Sequence, residues 1–431
     1  MSTRADVNAS PSARHIVVIG GGIVGACCAL ALIKDGHRVT ILEPGEPGGQ
    51  QAASHGNGAF LSPASIIPMS MPGLWKKVPG YLLDPKGPFT IRWRHLPRLA
   101  PWLLRFIQAG ATPAKATRTA RVLSSLLGDA PARHLALAAA CGVAELIRQD
   151  GLLYVYPDRA AFEAEAFAWQ LRRDNGIVWT ELEGAQVHAF EPNLSRRYTF
   201  AVLLQSGGHC LDPGAYVQGL VRSVVAQGGG LSRARAEGFQ VVGDQLQGVI
   251  TDQGIVRCEG AVIAAGIHSR LLASEAGDRV LLESERGYHV EIADPALGPR
   301  IPVMPSDGKM ANTLTRSGLR AAGQVELASV DTPPDWARAD ILLQQLLKTW
   351  PGLGDDPGRL RVSRWQGHRP STPDGLPVIA QASATPDVVH AFGHGHVGLA
   401  SAPMTGQIVA SLFAGTTPPI DIAPFAATRF R

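Results

Sequence analysis

HIVVIGGGIVGACCALALIKDGHRVTILE, residues 15–43, decides the fold, because it contains a strand, a glycine loop, a helix and a second strand in direct succession. Residues 15–19 form a short β-branched apolar run, which is typical of a buried parallel strand. Residues 37–42 form a second run, and between the two a helical apolar spacing ends at Gly36. The stretch therefore predicts a βαβ unit of a doubly wound α/β sheet.

The loop of this unit is a G-x-G-x-x-G pattern that begins at Gly20. Its first glycine permits the tight turn, its second lets the backbone approach a pyrophosphate, and its third lets the helix pack on the strand. Glu43 lies 18 residues after Gly25, close to the roughly 20 typical of a carboxylate that binds ribose hydroxyls. An empty βαβ unit is the alternative to dinucleotide binding. The predicted dinucleotide-binding residues are Gly20, Gly22, Ile23, Val24, Gly25 and Glu43.

Two later segments favour FAD over NAD as the dinucleotide. Residues 261–269 read as a buried strand that ends in a glycine turn, after a hairpin-like stretch at 240–260. Residues 392–399, FGHGHVGL, precede a predicted helix at 401–412, in which Pro403 fits only the first turn. The N-terminus of such a helix would stabilise negative charge on a reduced flavin, and an ordinary loop-to-helix turn is the alternative. The residues added to the cofactor site are Ala265, Gly266, Gly395, His396, Val397 and Gly398.

The composition argues against several other classes of protein. The chain has 431 residues, of which 45% are hydrophobic and 18% charged, and its net charge is +4. Disorder and coiled coils are excluded, and the even spread of basic residues argues against nucleic acid. The five cysteines form no C-x-x-C pair, so we expect no disulfide framework and no metal site. The lack of an 18-residue apolar uncharged run and of a leader-like N-terminal segment predicts a cytoplasmic protein without a transmembrane helix.

Four segments carry a resemblance to a known family. They are residues 15–43, residues 54–63 (SHGNGAFLSP), residues 285–289 (ERGYH), and residues 367–377 (GHRPSTPDGLP) with the GHGHVG segment that follows. With them the chain resembles the FAD-dependent amino-acid oxidoreductases, the group of D-amino acid oxidase, glycine oxidase and sarcosine oxidase. The resemblance is closest to the bacterial D-amino acid dehydrogenases and D-hydroxyproline dehydrogenases.

The resemblance implies an α/β and antiparallel β fold. A Rossmann-like FAD-binding domain is interwoven with a substrate domain that is built on a large antiparallel sheet. After a disordered tail at 1–14, the FAD-binding domain is expected at 15–62, 195–275 and 362–431. The substrate domain is expected at 63–194 and 276–361. Within this fold, residues 151–156 read as a strand and residues 160–174 as a helix. A further helix is predicted from Asp212 and Pro213 to about Gln227, with Asp212 as N-cap and Pro213 at the first helical position.

The resemblance also implies the roles of site residues. Arg369 would bind the substrate carboxylate, as a planar guanidinium does well, with a surface salt bridge as the alternative. Tyr288 would bind the same carboxylate or line the pocket, with a half-buried sheet tyrosine as the alternative. His55 would stack near the flavin or hydrogen-bond to it, unless it is a solvated loop histidine. Noncovalent FAD is expected, since no cysteine follows Cys258. The remaining predicted flavin neighbours are Ser54, Gly56, Asn57 and Gly58.

The implied activity is that of an FAD-dependent D-amino acid dehydrogenase. Hydride would pass from the substrate α-carbon to flavin N5, and the imine would hydrolyse to a 2-oxo acid and ammonia. Cyclic substrates such as D-proline or D-hydroxyproline would keep a cyclic imine. Three alternatives stay open: a glycine- or sarcosine-type oxidase that uses O2, a flavin subunit of a multi-subunit electron-transfer complex, and a Rossmann-like binding protein without catalysis. The electron acceptor of the dehydrogenase would be a quinone or another protein.

Residues 60–108 interleave tryptophans with cations, as at Trp75-Lys76-Lys77 and Arg92-Trp93-Arg94. A third such stretch is Pro101-Trp102-Leu103-Leu104-Arg105. This mixture suits the headgroup region of an anionic membrane. It predicts a peripheral contact with the inner face of the cell membrane. An active-site lid or a subunit interface is the alternative.

Overall fold

A computed structural model describes residues 13–74, 89–354 and 356–430, without the side chain of Trp93. The expected disordered tail at 1–14 lies almost wholly outside the described residues, as does the segment from Trp75 to Lys77. The strands are β1 His15–Ile19, β2 Arg38–Leu42, β3 Phe60–Leu61, β4 Phe89–Ile91, β5 Ile147–Arg148, β6 Leu152–Tyr156, β7 Thr180–Glu183, β8 Phe200–Leu204, β9 Gly208–Cys210, β10 Gly230–Ser232, β11 Ala236–Val242, β12 Gln245–Thr251, β13 Gly254–Arg257, β14 Gly260–Ile263, β15 Glu283–Ile292, β16 Val303–Pro305, β17 Ala311–Thr315, β18 Gly318–Leu327, β19 Val362–Ser371, β20 Val378–Gln381 and β21 Val388–Phe392. The helices are α1 Ile23–Lys34, α2 Leu96–Ala109, α3 Pro113–Leu127, α4 Ala130–Ala140, α5 Arg159–Glu163, α6 Ala166–Asp174, α7 Ala185–Phe190, α8 Pro213–Ala226, α9 Ser269–Glu275, α10 Ala337–Thr349 and α11 Gly398–Ala414.

The first sheet has the order β10-β2-β1-β14-β21-β20, and all of its pairs are parallel except β20 with β21. Alternate residues of β1 point to opposite faces, as the pleat requires. Ile16 and Val18 pack with α1, α8 and α11, whereas Val17 and Ile19 pack on the side of β11, β12 and α9. The predicted βαβ unit therefore lies in the middle of this doubly wound sheet.

Among the described residues, the second sheet has nine strands in the order β19-β15-β18-β17-β16-β6-β8-β7, with β4 paired to β18. Most of its pairs are antiparallel, but β16 with β6 and β18 with β4 are parallel. The large sheet is thus mixed. This α/β fold with a large second sheet has the two-part architecture that the sequence resemblance implies.

Strand pairing moves two of the expected domain boundaries. β8 lies after residue 195 but pairs with β6 and β7 of the large sheet. β19 starts at residue 362 but pairs along ten residues with β15 of the same sheet. The segments 195–204 and 362–371 therefore belong with the large sheet, because their backbone hydrogen bonds are made there. The other boundaries of the expected division stay predictions.

Several local predictions can be compared with the elements. The helix that starts after Asp212 is confirmed, because the Asp212 side chain accepts a hydrogen bond from Ala215 N and Pro213 opens the first turn. The helix expected at 160–174 is interrupted, with α5 ending at Glu163 and α6 beginning at Ala166.

The C-terminal helix α11 differs from the prediction in where it starts. It begins at Gly398, so Pro403 lies inside the helix and not in its first turn. The segment Gly395–Ala414 is also long and apolar enough to span a membrane by composition, although no such segment was expected. The share of its most apolar window that is buried in the protein is 72%. This burial is typical of a core helix, and α11 packs on α1.

Candidate active site

The glycine loop is closed so tightly that side chains are excluded from it. Gly20 has φ +112°, and an ideal Cβ on it would lie 2.4 Å from the Ala264 carbonyl oxygen. A Cβ on Gly25 would lie 1.9 Å from the Gly20 carbonyl oxygen. Only glycine fits such positions. The ends of β1 and β14 therefore meet the N-terminus of α1, whose residues Ile23 and Val24 follow the loop.

Two side chains flank this loop. The Glu43 carboxylate accepts hydrogen bonds from Gly21 N at 2.8 Å and from Gly45 N at 3.0 Å. Ser54 Oγ accepts one from Ile23 N at 3.1 Å. A helix N-terminus and a carboxylate that the backbone orients fit the ADP half of a dinucleotide.

Residues Ala265 and Gly266 lie beside the same loop. Ala264 N donates to the Ile19 carbonyl at 2.9 Å, and Gly266, with φ +57°, opens a 3₁₀ turn at Gly266–His268. The structure thus brings together the predicted cofactor residues of the first and second segments.

The loop at residues 55–58 is fastened to one face of the large sheet. Arg320 Nη1 donates to the carbonyls of His55 and Asn57, both at 3.1 Å. Thr313 Oγ1 donates to the Gly58 carbonyl at 2.9 Å. The His289 ring lies with Nδ1 3.2 Å from the Gly56 carbonyl. Since this loop comes from the FAD-binding segment, this face of the sheet is the one that meets the cofactor domain.

Trp365 lies under this loop. Its indole stacks on His289 with ring centroids 5.2 Å apart, and its Nε1 donates to the Gln50 carbonyl at 2.8 Å. A Cβ on Gly56 would lie 2.0 Å from the indole, and one on Gly367 would lie 2.1 Å from it. Both glycines therefore make room for the ring. Sequence reasoning missed Trp365, whose only signal was the glycine at 367 in the same strand.

His55 and His289 have different environments near this indole. The His55 ring is 6.4 Å from Trp365, and its Nδ1 is 3.3 Å from the Gly48 carbonyl. Burial and the neighbouring Arg320 lower the pKa of His289 to about 3, so His289 is neutral near pH 7. Its Nδ1 must carry the hydrogen, because the Gly56 carbonyl can only accept.

Arg369 lies on the same face of the sheet, further along β19. Its guanidinium lies across Gly287, where an added Cβ would be 2.3 Å from Cζ. It donates to the Gln324 carbonyl at 3.0 Å and to the Gly323 carbonyl at 3.4 Å. Its Nη1 is also 3.6 Å from Glu285 Oε1. Backbone groups thus fix the guanidinium in position, while its side chain keeps 20% of its surface exposed.

Glu285 is the acidic partner of this arginine, and the sequence assigned it no role of its own. Ser371 Oγ donates to Glu285 Oε2 at 3.0 Å, and His396 Nε2 lies 2.8 Å from Glu285 Oε1. Burial acts to raise the pKa of Glu285, but His396, Arg369 and Ser371 outweigh it and lower that pKa to about 2. The carboxylate is therefore ionised at neutral pH, and it joins Arg369 to the loop before α11.

Tyr288 lies on the opposite face of the large sheet. Because neighbours in a strand alternate, Glu285 and His289 point to the cofactor side, while Tyr288 packs with Leu342 under α10. Its hydroxyl donates to Glu326 Oε2 at 2.5 Å and accepts from Asp335 N at 3.0 Å. The expectation that Tyr288 shares a carboxylate with Arg369 is corrected: Tyr288 is a buried sheet tyrosine, and burial with Glu326 raises its pKa to about 12.

A histidine of α4 holds the N-terminal part of α11 in place. Pro403 has no N–H, so the Leu399 carbonyl lacks its donor within the helix. The His134 ring supplies one, because its Nε2 lies 2.9 Å from that carbonyl and its Nδ1 lies 2.9 Å from the Tyr216 hydroxyl. Burial lowers the pKa of His134 to about 4, so the ring is neutral. Its Nε2 donates to Leu399, and its Nδ1 accepts from Tyr216.

His394 also serves the structure of this segment. Its Nε2 lies 3.0 Å from Thr405 Oγ1, and burial lowers its pKa to about 3. A 3₁₀ turn at Gly395–Val397 then leads into Gly398. This turn contacts β19, so the third group of predicted cofactor residues meets the Arg369 strand. Within residues 13–74, 89–354 and 356–430, no group of three His, Cys, Asp or Glu side chains could hold a metal.

The protein-family model described as "DAO: FAD dependent oxidoreductase" matches residues 15–412 of this chain. The chain is 47% identical over 420 residues to a D-amino-acid oxidase of Bradyrhizobium diazoefficiens, covering 97% of this chain and 100% of the relative. It is 30% identical over 435 residues to a D-amino acid dehydrogenase of Paramagnetospirillum magneticum, covering 96% and 98% of the two chains.

A solved structure shares the fold. The L-proline dehydrogenase of P. horikoshii superposes with a TM-score of 0.73 at 20% identity, covering 97% of this chain and 98% of the other. The resemblance drawn from the four sequence segments is confirmed by the family match and by the relatives. On these findings, and with a site that fits the cofactor, the chain belongs to the FAD dependent oxidoreductase (DAO) family.

Proposed function

We propose that this protein is an FAD-dependent D-amino acid dehydrogenase. One observation carries the proposal: the Arg369 guanidinium is fixed by two backbone carbonyls on the sheet face that meets the cofactor domain. A guanidinium in this place suits the α-carboxylate that all amino acids share. The relatives named D-amino-acid oxidase and D-amino acid dehydrogenase support D-amino acids as the substrate class.

The chain's own residues bind and orient in this reaction. The glycine loop and Glu43 would hold the ADP half of FAD, and the 54–58 loop with the N-terminus of α11 would hold its flavin half. When bound, FAD accepts the two electrons that leave the substrate α-carbon with its hydrogen. The amino acid becomes an imino acid, and water then converts it to a 2-oxo acid and ammonia. A cyclic substrate such as D-proline or D-hydroxyproline stops at the cyclic imine.

The substrate test is anaerobic mixing of the purified holoenzyme with single amino acids while the visible flavin absorbance is followed. Bleaching by D-enantiomers, and not by L-enantiomers at equal concentration, is the expected result. D-Proline and D-hydroxyproline belong in the same panel, because the proposal includes cyclic substrates. A preparation that is colourless and cannot be reconstituted with FAD would overturn the proposal.

Two candidate functions differ in the electron acceptor that they use. We propose a quinone or another protein as the acceptor, as in a dehydrogenase. The second candidate is an oxidase, which the 47% identical relative named D-amino-acid oxidase favours. Turnover with a quinone analogue under nitrogen, and little peroxide in air, supports the dehydrogenase. Stoichiometric peroxide in air at a rate equal to the quinone rate supports the oxidase.

A basic surface on α2 and α3 supports contact with a membrane. No Asp or Glu occurs between Lys86 and Gly128. Arg98 and Arg105 on α2 are exposed, beside Leu104 and Ile107, whose exposed fractions are 63% and 37%. Trp102, which was expected among the interfacial aromatics, is buried instead and donates to the Ser371 carbonyl at 3.0 Å. The proposed contact therefore rests on cations and aliphatic side chains, which suit anionic headgroups.

This proposal makes the protein cytoplasmic and peripheral on the inner face of the cell membrane. Cosedimentation with vesicles tests it. Binding to phosphatidylglycerol vesicles, its loss in 0.5 M salt, and its loss in the Leu104→Ser/Ile107→Ser variant are expected. Val178→Ser is the matched control, because Val178 is 80% exposed on another part of the surface. Equal binding of the double variant and the control, or no binding at low salt, would reject the membrane contact.

A further inference from the structure

We propose that His396, held by Glu285, accepts the proton from the substrate's ammonium group before the α-carbon is oxidised. The inference rests on the proposed function, and it adds a catalytic residue to it. Arg369 explains how the carboxylate is bound, but it leaves the second charged group of an amino acid without a partner.

The geometry indicates which nitrogen of the His396 ring can accept the proton. Glu285 is buried and also accepts from Ser371, so its carboxylate is an acceptor. At 2.8 Å from Glu285 Oε1, a lone pair on His396 Nε2 would face the carboxylate, so we infer that Nε2 carries the hydrogen of the neutral ring. Nδ1 then has a free lone pair. The His396 side chain keeps 35% of its surface exposed, so a small molecule can reach it.

The pair lies beside the carboxylate-binding arginine. The same Oε1 atom that pairs with His396 is 3.6 Å from Arg369 Nη1. In an α-amino acid only one carbon separates the carboxylate from the nitrogen. A substrate whose carboxylate is bound by Arg369 therefore brings its ammonium group within reach of the ring, provided it is oriented toward α11.

The proton transfer is a simple exchange of bonds. One N–H bond of the ammonium breaks, and one N–H bond forms at His396 Nδ1, with no change of oxidation state. The neutral amine regains the lone pair that forms the C=N bond while the α-hydrogen leaves with two electrons to FAD. Without this step the nitrogen cannot stabilise the electron-poor α-carbon. His396 afterwards returns the proton to water.

The charged groups around the ring balance the imidazolium that forms. Glu285 on β15 favours it, whereas Arg369 on β19 and the N-terminus of α11 disfavour it. The nearby His394 is neutral and bonded to Thr405, and it does not compete for the proton. Glu285 is therefore the carboxylate that faces the ring when it receives the proton.

The kinetic test compares His396→Asn with the wild-type holoenzyme in anaerobic flavin bleaching by one D-amino acid from pH 6 to pH 10. At pH 7 the variant should be about 100-fold slower, the usual contribution of a positioned base. At pH 10 the substrate amine is neutral in water, so the variant should approach the wild-type rate. His188→Asn, on α7, is the matched control and should keep the wild-type profile.

A second test needs no turnover. In the holoenzyme with ¹⁵N-labelled histidine, the His396 signal, assigned by its loss in His396→Asn, should show the Nε2–H tautomer. Glu285→Gln should abolish this preference, because the amide can donate as well as accept. Adding 2-aminoisobutyrate, an amino acid with no α-hydrogen, should convert His396 to the doubly protonated ring at the same pH.

The outcomes separate this inference from the proposed function. Parallel pH profiles of His396→Asn and wild type would overturn the role of His396, as would a singly protonated ring when the analogue is bound. If the Asn variant loses FAD, the analogue experiment on the wild type decides alone. Failure of every D-amino acid to bleach the wild-type flavin would instead reject the proposed function.

Discussion

Arg369 differs from the surface arginines of the chain in what surrounds its guanidinium. Backbone carbonyls of β18 accept from it, and Gly287 leaves space beneath it. Arg364, five residues earlier in the same strand, pairs instead with Asp340 at 2.7 Å and is 45% exposed. Two arginines of one strand thus have different tasks, and only their environment separates them.

Replacing Arg369 by lysine should weaken substrate binding much more than cofactor binding. Lysine keeps the charge but loses the planar fork, and a hydrogen bond to a charged group contributes about 1.5–3 kcal/mol. We expect KM to rise about 10- to 100-fold, while the Kd for FAD changes less than twofold. Arg364→Lys is the control. Steady-state kinetics and flavin titration measure both, and unchanged KM and kcat would remove Arg369 from the site.

Tyr288→Phe tests the corrected role of that tyrosine. The change removes the hydroxyl between Glu326 and Asp335 N and leaves the ring in the core under α10. The free energy of unfolding should fall by about 2 kcal/mol, because a buried carboxylate loses a donor. KM should change less than twofold. A tenfold rise in KM at unchanged stability would return Tyr288 to the substrate pocket.

At the scale of single elements, α11 contains Pro403 in its interior with little loss of stability. The usual penalty of such a proline is about 3 kcal/mol, part of which is the lost hydrogen bond. Here His134 of α4 replaces the missing donor, and Tyr216 of α8 holds the ring. One buried polar contact therefore links three helices. It fixes the position of α11, whose N-terminus faces β19.

His134→Leu should destabilise the protein by about 2 kcal/mol or more, because the Leu399 carbonyl and the Tyr216 hydroxyl both lose a buried partner. Pro403→Ala should recover part of this loss in the His134→Leu background, since alanine supplies the N–H that Leu399 lacks. Chemical unfolding of the four proteins gives the coupling energy. An equal effect of Pro403→Ala in both backgrounds would contradict the proposed contact.

The elements that sequence reasoning predicted are those with local signals. The βαβ unit, the capped start of α8 and the strand at Leu152–Tyr156 each depend on neighbours in the chain. The face to which Tyr288 points could not be predicted, because all ten residues of β15 are buried and no polar alternation marks a side. The contact between Glu285 and His396 joins residues far apart in sequence, so no local pattern signals it.

At the scale of the whole molecule, two buried carboxylates link stability to pH. Burial acts to raise the pKa of Asp278, but His390 and Ser383 outweigh it and lower the pKa to about 2 from 3.8. The pKa of Glu285 is about 2, against an ordinary value of 4.5. Both groups take up protons more readily in the unfolded chain. Their stabilisation is therefore complete above about pH 4.5 and is lost as the pH falls toward 2.

Asp278→Asn should reduce this acid sensitivity. Each group contributes about 2–4 kcal/mol at neutral pH, since one pKa unit corresponds to about 1.4 kcal/mol. The variant should be less stable than wild type at pH 7, and its free energy of unfolding should fall less steeply between pH 4 and pH 2. Urea unfolding at several pH values measures this, with the exposed Asp174→Asn as control. Parallel curves for wild type and Asp278→Asn would contradict the assignment.

The first sheet is assembled from strands that are far apart along the chain. β1 and β2 lie within residues 15–42, whereas β21, the neighbour of β14, ends at Phe392. During synthesis on the ribosome, the glycine loop therefore emerges long before β21 and α11. The nascent chain can complete its cofactor-binding sheet only after β21 has emerged, and products that terminate before β21 will expose the apolar face of β14 to chaperones and proteases.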